Sequence, residues 1–460
     1  MRVVVIGSGI IGASAAYYLC GRGATVTVVD GGYQGEATQA GAGIVCPWVD
    51  HPEDPDWYQL TREGARHYPA LIEELGEDIG YAKVGALLVA EDPADLEPVR
   101  ALLRRRHADA PEMGDVADVP APAELFPPLS DTLAALLVPG AARVDGCSVR
   151  DALLHAAVAR GAEIRTGAAV LTPDGEVYVH SLVGEPPAQV QLGEPAAPPM
   201  EPGLSSGPPA PGGRGGVPAG EATMRVGLGP GDEPGQGGGG VSGAPGGGQM
   251  GGGASWRQAA PLGAPAASVH GPPVASGSAR RFADEGVRVE ADVVIVAAGA
   301  WAGEVCRPLG VELPVFPRRG QIVHATLEGV DTAWWPMVLP NEGPYLLGFP
   351  DSRVVIGATV EDVGFAPRVT MGGLEEVIAA GLRVAPGLYG ASVTEARVGL
   401  RPVYAPGQAL IGRLTDRVVV ATGLSAYGLT AGPFTGRIVA ALALGEEPPI
   451  DLAPYAPPLP

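Results

Sequence analysis

Three glycines in the run Gly7-Ser8-Gly9-Ile10-Ile11-Gly12 lie between an apolar, β-branched stretch, Arg2 to Ile6, and a helical one, Ala13 to Arg22. Each has separate work at that spacing. Gly7 permits a tight turn, Gly9 lets the backbone approach a pyrophosphate, and Gly12 lets a helix pack closely on its strand, so that phosphate anions meet the positive helix N-terminus. A second β-rich run, Thr25 to Asp30, ends on an acid at the spacing where a carboxylate accepts hydrogen bonds from a ribose diol, followed by Gly31. An isolated glycine turn and a solvated Asp would not share this register with a strand, a helix and a second strand. The unit is expected to bind a dinucleotide.

That fingerprint does not separate a flavin from a nicotinamide dinucleotide. Later residues do. The small-residue stretch Gly35-Glu36-Ala37-Thr38-Gln39-Ala40-Gly41-Ala42-Gly43-Ile44 can lay its backbone against a large planar ring. A second glycine turn, Ala298-Gly299-Ala300-Trp301, closes the apolar run Val293 to Ala297, and a third, Gly423 to Gly436, opens the last helix. One such turn suffices for nicotinamide, whereas three dispersed ones suit a long cofactor threaded through a discontinuous domain.

The elements that must position these turns are of two kinds. Arg2 to Ile6, Thr25 to Asp30, Glu163 to Thr166 and Val293 to Ala297 read as strands of a parallel sheet, with helices at Ala13 to Arg22, Trp57 to Gly76 and Cys147 to Arg160. Ala86 to Ala90 starts a different layer, and from about Val315 to Thr359 short alternating runs separated by Gly, Pro and Asp predict an antiparallel sheet. With 460 residues and 46% hydrophobic content, the chain has material for two packed domains. Residues 183 to 280 are dominated by Gly, Pro, Ala and Ser, and are expected to form a flexible insertion carrying no chemistry.

A formal net charge of −21 argues against nucleic acid, whose phosphates need clustered cations. Cys20, Cys46, Cys147 and Cys306 lack the short paired spacing of a zinc site or disulfide framework and read as reduced thiols of a cytoplasmic protein. His324 and the other histidines show no metal spacing, so no metal is expected; Trp334 and Trp335 are expected in the core or a pocket wall. Met1-Arg2 before an apolar run imitates a secretory leader, but Gly7, Gly9 and Gly12 fit strand, turn and helix better. No apolar stretch reaches the roughly 18 residues that span a bilayer, so any membrane contact is expected to be peripheral.

Taken together, the fingerprint, Val144-Asp145-Gly146, Arg319-Gly320-Gln321, Val354-Val355-Ile356-Gly357-Ala358-Thr359 and Gly399-Leu400-Arg401-Pro402 resemble the D-amino-acid oxidase superfamily, nearest its glycine oxidase and bacterial D-amino-acid dehydrogenase branches. The resemblance covers the chain outside the Gly/Pro-rich stretch. It implies an α/β protein of the glutathione-reductase type: a discontinuous Rossmann-like FAD-binding domain (1–80, 144–182, 281–311 and 396–460) and an antiparallel-sheet substrate domain (81–143 and 312–395). It implies Ile10 and Ile11 on the pyrophosphate, Asp30 on the ribose, and Ala37 and Thr38 near the phosphates. It also implies Ala42, Gly43 and Ile44 along the flavin, Val170 beside the adenine, Ala298, Gly299 and Trp301 at the second turn, and Leu424, Ser425, Ala426, Gly428, Leu429 and Thr430 at the pyrimidine end.

For the substrate, the resemblance implies that Arg401 binds a carboxylate, with the Tyr345 hydroxyl beside it and Tyr427 facing the same cavity. A guanidinium offers a planar fork and stays charged when partly buried. The sarcosine oxidase branch bonds its flavin covalently through a cysteine near this region; Arg401-Pro402-Val403-Tyr404 has none, so a dissociable FAD is expected. The implied reaction passes a hydride from the α-carbon of a D-amino acid or glycine to the flavin. The alternatives are a secondary amine of the sarcosine or proline type, and a non-catalytic flavoprotein subunit; oxygen, a quinone or a carrier protein would take the electrons. An NAD-dependent dehydrogenase accounts for the N-terminal unit but not the later turns. Deleting residues 184–278 should leave FAD binding intact; a colourless, folded deletion protein would refute this.

Overall fold

A computed structural model describes residues 1–181, 285–407 and 409–458. The expected flexible insertion at 183–280 lies outside these residues. Six strands form one sheet in the order Leu410–Arg413, Val418–Thr422, Val293–Val296, Arg2–Ile6, Thr25–Asp30, Glu163–Thr166. All neighbours are parallel except Leu410–Arg413 against Val418–Thr422. The runs are apolar on both faces because both are covered, one by the long helices Ile10–Gly21, Gly146–Ala159 and Gly428–Leu444 and the other by a small antiparallel sheet with the short helix Ala302–Cys306. The helix Ile10–Gly21 begins three residues before the expected Ala13, directly on the glycine turn. Its small residues allow close approach of the last helix, Gly428–Leu444: a Cβ on Gly436 would stand 2.4 Å from the Ser14 Cβ, and one on Gly432 2.7 Å from the Ile10 side chain.

Acidic side chains start two of the other helices. Asp54 accepts from the Trp57 amide at 2.9 Å and opens Pro55–Leu75, while Asp145 accepts from the Cys147 and Ser148 amides at 3.1 Å and opens Gly146–Ala159. Such caps satisfy amides that the helix itself leaves unpaired. A three-stranded antiparallel sheet, Ala168–Leu171, Val177–His180 and Val287–Val289, lies on the chain at either side of residues 182–284.

The second large sheet has eight strands in the order Ser392–Tyr404, Val315–Thr326, Arg353–Gly357, Tyr345–Gly348, Met337–Pro340, Ala86–Ala90, Ala134–Val138, Ala117–Val119. It is antiparallel as expected but for one seam, where Met337–Pro340 runs parallel to Ala86–Ala90 and joins two distant stretches of chain. Position 396, the expected start of the last FAD-binding segment, falls inside Ser392–Tyr404. That strand belongs to the eight-stranded sheet over twelve paired positions with Val315–Thr326, and near its end Val403 bridges to Leu424. Trp335 is buried against Phe126 with ring centroids 4.6 Å apart, but Trp334 is 72% exposed, which corrects the expectation that both lie in core or pocket wall. Adjacent residues of an irregular segment need not share a face.

Beside a short antiparallel pair of strands, Ile44–Val45 and Ala142–Arg143, backbone approaches backbone. Gly43 has φ +90°, and a Cβ there would lie 1.8 Å from the Val144 carbonyl oxygen. Gly43→Ala should therefore lower the unfolding free energy by about 2–4 kcal/mol, from left-handed strain plus overpacking. An unchanged urea midpoint would show that the backbone at Val144 yields at no cost.

Candidate active site

One cavity of about 1150 Å³ runs from the Gly7–Gly9 turn to Arg401 and Tyr345, beyond the roughly 300–1,000 Å³ of ordinary small-molecule pockets. Every residue expected at the site lines it except Gly12 and Val170. Gly12 is a packing glycine: a Cβ would fall 1.9 Å from the Gly7 carbonyl oxygen. At the other exception Ala169 lines the cavity instead of Val170, because successive residues of the strand Ala168–Leu171 face opposite ways.

The glycine turn is braced by the acid that follows it. Asp30 Oδ2 accepts from the Ser8 amide at 2.7 Å and the Ser8 hydroxyl at 2.6 Å, while Oδ1 accepts from the Gly32 amide at 2.7 Å. Asp30 thus shapes the loop as well as facing the cavity. The Ile10 amide, at the start of its helix, donates to the Thr38 hydroxyl at 3.1 Å. Gly9 meets only that hydroxyl, at 3.4 Å from a hypothetical Cβ, so the backbone there stays open to the cavity.

At the far end, Arg401 donates from Nη1 to the Thr359 carbonyl at 3.0 Å and to the Arg319 carbonyl at 3.4 Å. Among the described residues no carboxylate forms an ion pair with it. Burial pushes its pKa below the usual arginine value, against the opposing pull of Tyr345. The guanidinium lies over Gly320, where a Cβ would come 2.4 Å from Nη2, and Gly357 gives the Tyr345 ring its space, with the hydroxyl 2.8 Å from a hypothetical Cβ. Two glycines of the second sheet thus make room for the two polar groups expected at the substrate.

Tyr427 lines the cavity but is already engaged: its hydroxyl donates to Asp50 Oδ2 at 2.6 Å, and its ring meets the edges of His51 and Trp57 with centroids 5.0 and 5.5 Å away. Arg106 holds this loop from behind by donating to the carbonyls of Trp48, Asp50 and His51 at 2.6–2.8 Å. Burial lowers the His51 pKa to about 4, so the ring is neutral at ordinary pH. Asp50, His51, Tyr33, Glu36, Ala169 and Arg318 all line the cavity without having been expected there. Only Glu36 had a signal in the sequence, as part of the small-residue stretch; the others arrive through loop folding or strand register. Tyr404 and Cys46 are buried and also line the cavity.

The FAD-dependent oxidoreductase model DAO matches residues 2–190 and 255–442. The chain belongs to this family. Along its whole length it is similar to the "Uncharacterized oxidoreductase YurR" of Bacillus subtilis (strain 168), 35% identical over 99% of this chain and 98% of that protein. The crystal structure of iminodiacetate oxidase (IdaA) from Chelativorans sp. BNC1 is 36% identical, covers 99% of both chains and superposes with a TM-score of 0.75. A glycine oxidase of Pseudomonas aeruginosa is 36% identical over a shorter span, 37% of this chain and 46% of its own length.

The cavity of this DAO-family oxidoreductase fits FAD by its donor set. A helix N-terminus, a hydroxyl and an open glycine backbone suit a pyrophosphate, and Asp30 suits a ribose. The small-residue stretch Ala42-Gly43-Ile44 faces the turn Leu424 to Thr430, whose following helix presents its positive end to the cavity. No helix among the described residues is long and apolar enough to cross a membrane.

Glu36 sits in this cavity with a pKa pushed up to about 7, by burial first and then by the Asp30 charge, against the pull of Arg150 3.6 Å away. The folded chain thus binds a proton more tightly than the unfolded one, so Glu36 costs stability progressively as pH rises from about 4.5 to 7, and fully above that. Glu36→Gln should stabilise the FAD-free protein by about 1–3 kcal/mol at pH 8 and by little at pH 4. Equal gains at both pH values in urea titrations would contradict a buried, raised carboxyl.

Proposed function

We propose that the chain oxidises a small amino acid, a D-amino acid or glycine, at its amine-bearing carbon. The observation that carries this reading is Arg401, a half-buried guanidinium held by carbonyls at the wall of the cofactor cavity with no carboxylate partner among the described residues. Such a group is an anion site, and its fork matches a carboxylate.

FAD, when bound, supplies the acceptor for the hydride that leaves the α-carbon. The rest is the work of this chain. Arg401 and Tyr345 hold the substrate carboxylate, which fixes the adjacent carbon in one orientation and removes the entropy of a bimolecular encounter. Ile44, Leu339 and Leu400 in the lining exclude water from the reacting carbon. The amine reacts in its neutral form, and no side chain needs to abstract the α-proton, because it departs with its electron pair. Tyr427, fixed by Asp50, shapes the wall. The imino acid leaves and hydrolyses to a keto acid and ammonia.

A second reading, a secondary amine as donor, is supported by the full-length similarity to iminodiacetate oxidase. Anaerobic addition of glycine, D-alanine, sarcosine or proline to the yellow holoprotein distinguishes the two by which amine bleaches the flavin. A non-catalytic flavoprotein would bleach with none. Recovery of colour with air, a quinone or a carrier protein identifies the oxidant. Arg401→Ala should retain FAD and lose roughly a hundredfold or more in kcat/KM, the scale of breaking a buried charged pair. Unchanged kinetics would remove Arg401 from the site.

A further inference from the structure

The ladder between the two long strands sets Arg318 directly opposite Arg401. Residues so paired project from the same face of an antiparallel sheet, and both of these line the cavity. Their neighbour Arg319 alternates to the other face, where it is 4% exposed and ion-paired with Glu361, whose carboxylate also accepts from Gln321 and Thr359 at 2.7 Å. That arginine is neutralised within the protein.

The cavity-facing pair is treated differently. Arg401 is bonded to carbonyls, not to a carboxylate. Arg318 donates from Nε and Nη2 to Asp362 at 2.8 and 3.1 Å, but this carboxylate is 62% exposed while the arginine side chain is 12% exposed. That pair occupies the Nε and Nη2 edge of the guanidinium, and its carboxylate faces water. Among the described residues, Nη1 of Arg318 makes no hydrogen bond. Like charges directly opposite on a sheet repel, and the Arg318 charge adds to burial in lowering the Arg401 pKa. Two guanidiniums on one wall are stabilised by an anion that reaches both.

We propose that the substrate is an amine bearing two carboxylates, one held by Arg401 with Tyr345 and the other by Arg318. The inference rests on the α-oxidation reading and narrows it. The first carboxylate sits on the carbon that is oxidised, while the second anchors the far end and takes no part in bond breaking. It belongs either to the side chain of an acidic amino acid or to a carboxymethyl group on the nitrogen.

Two pairs of probes test this on the holoprotein. Glutarate and butyrate, which carry the same three-carbon chain on one carboxylate and differ by the second carboxylate at its end, are titrated against the visible flavin spectrum. Iminodiacetate against sarcosine, and D-aspartate against D-alanine, are compared in anaerobic flavin reduction. Glutarate should bind at least about tenfold more tightly than butyrate, the value of one further charged hydrogen bond. The ratio should fall toward one in Arg318→Gln and be partly restored in Arg318→Lys. Equal binding of glutarate and butyrate, or a ratio unchanged in Arg318→Gln, overturns the second carboxylate site even if sarcosine or D-alanine bleaches the flavin. A glutarate preference that depends on Arg318, with no bleaching by any of the four amines, supports the two-anion site and sinks the oxidation reading. If Arg318→Gln fails to retain FAD, the wild-type ratio decides alone.

Discussion

Strand register is the constraint on which the site depends. Val315–Thr326 and Ser392–Tyr404 pair at twelve positions, with one irregularity between His324 and Ala325. A slip of Ser392–Tyr404 by one residue would carry Arg401 to the opposite face of the sheet, away from the cavity. What prevents it is distributed along the ladder. Gly320 accepts the Arg401 guanidinium, Gly399 admits Ala40 with a hypothetical Cβ at 2.9 Å, and the Arg319 and Glu361 backbones exchange hydrogen bonds at 2.9 and 3.0 Å. The same strand then touches the cofactor turn through Val403 and Leu424. One continuous element therefore positions both Arg401 and the turn at Leu424, which ties the two parts of the cavity wall together without a hinge.

How much of this the sequence disclosed depended on distance along the chain. The Gly7 to Gly12 turn, Asp30 and the small-residue stretch were legible because strand, turn, helix and acid are neighbours, and their spacing is their geometry. Helix starts were less so: the Ile10–Gly21 helix absorbs residues that read as turn, since glycine is tolerated where an N-terminus needs an open backbone. Arg401 was recognisable from its motif, but its pairing with Arg318 was not, because the register joins segments about eighty residues apart and no local pattern encodes it.

Other differences have equally specific causes. Tyr427 faces the cavity as expected, yet its hydroxyl is committed to Asp50, on a loop that Arg106 folds inward from a separate helix. Val170 and Ala169 differ by one step of a two-residue period, which sequence alone cannot phase when both residues are apolar and the strand has four positions. The expected boundary near 396 falls within a strand thirteen residues long, which pairs in the eight-stranded sheet and near its end bridges at Val403 to the turn at Leu424.

The order of strands in the six-stranded sheet also bears on how the protein comes into being. Arg2–Ile6 finds Thr25–Asp30 beside it almost at once, but its other neighbour is Val293–Val296, and that strand in turn waits for Val418–Thr422. At the usual 5–20 residues per second of synthesis, the interval from residue 30 to residue 296 is roughly 10–50 s. Throughout it, the apolar edge of the first strand has no native partner, so the nascent chain depends on its ribosome-side surroundings to keep that edge from pairing elsewhere.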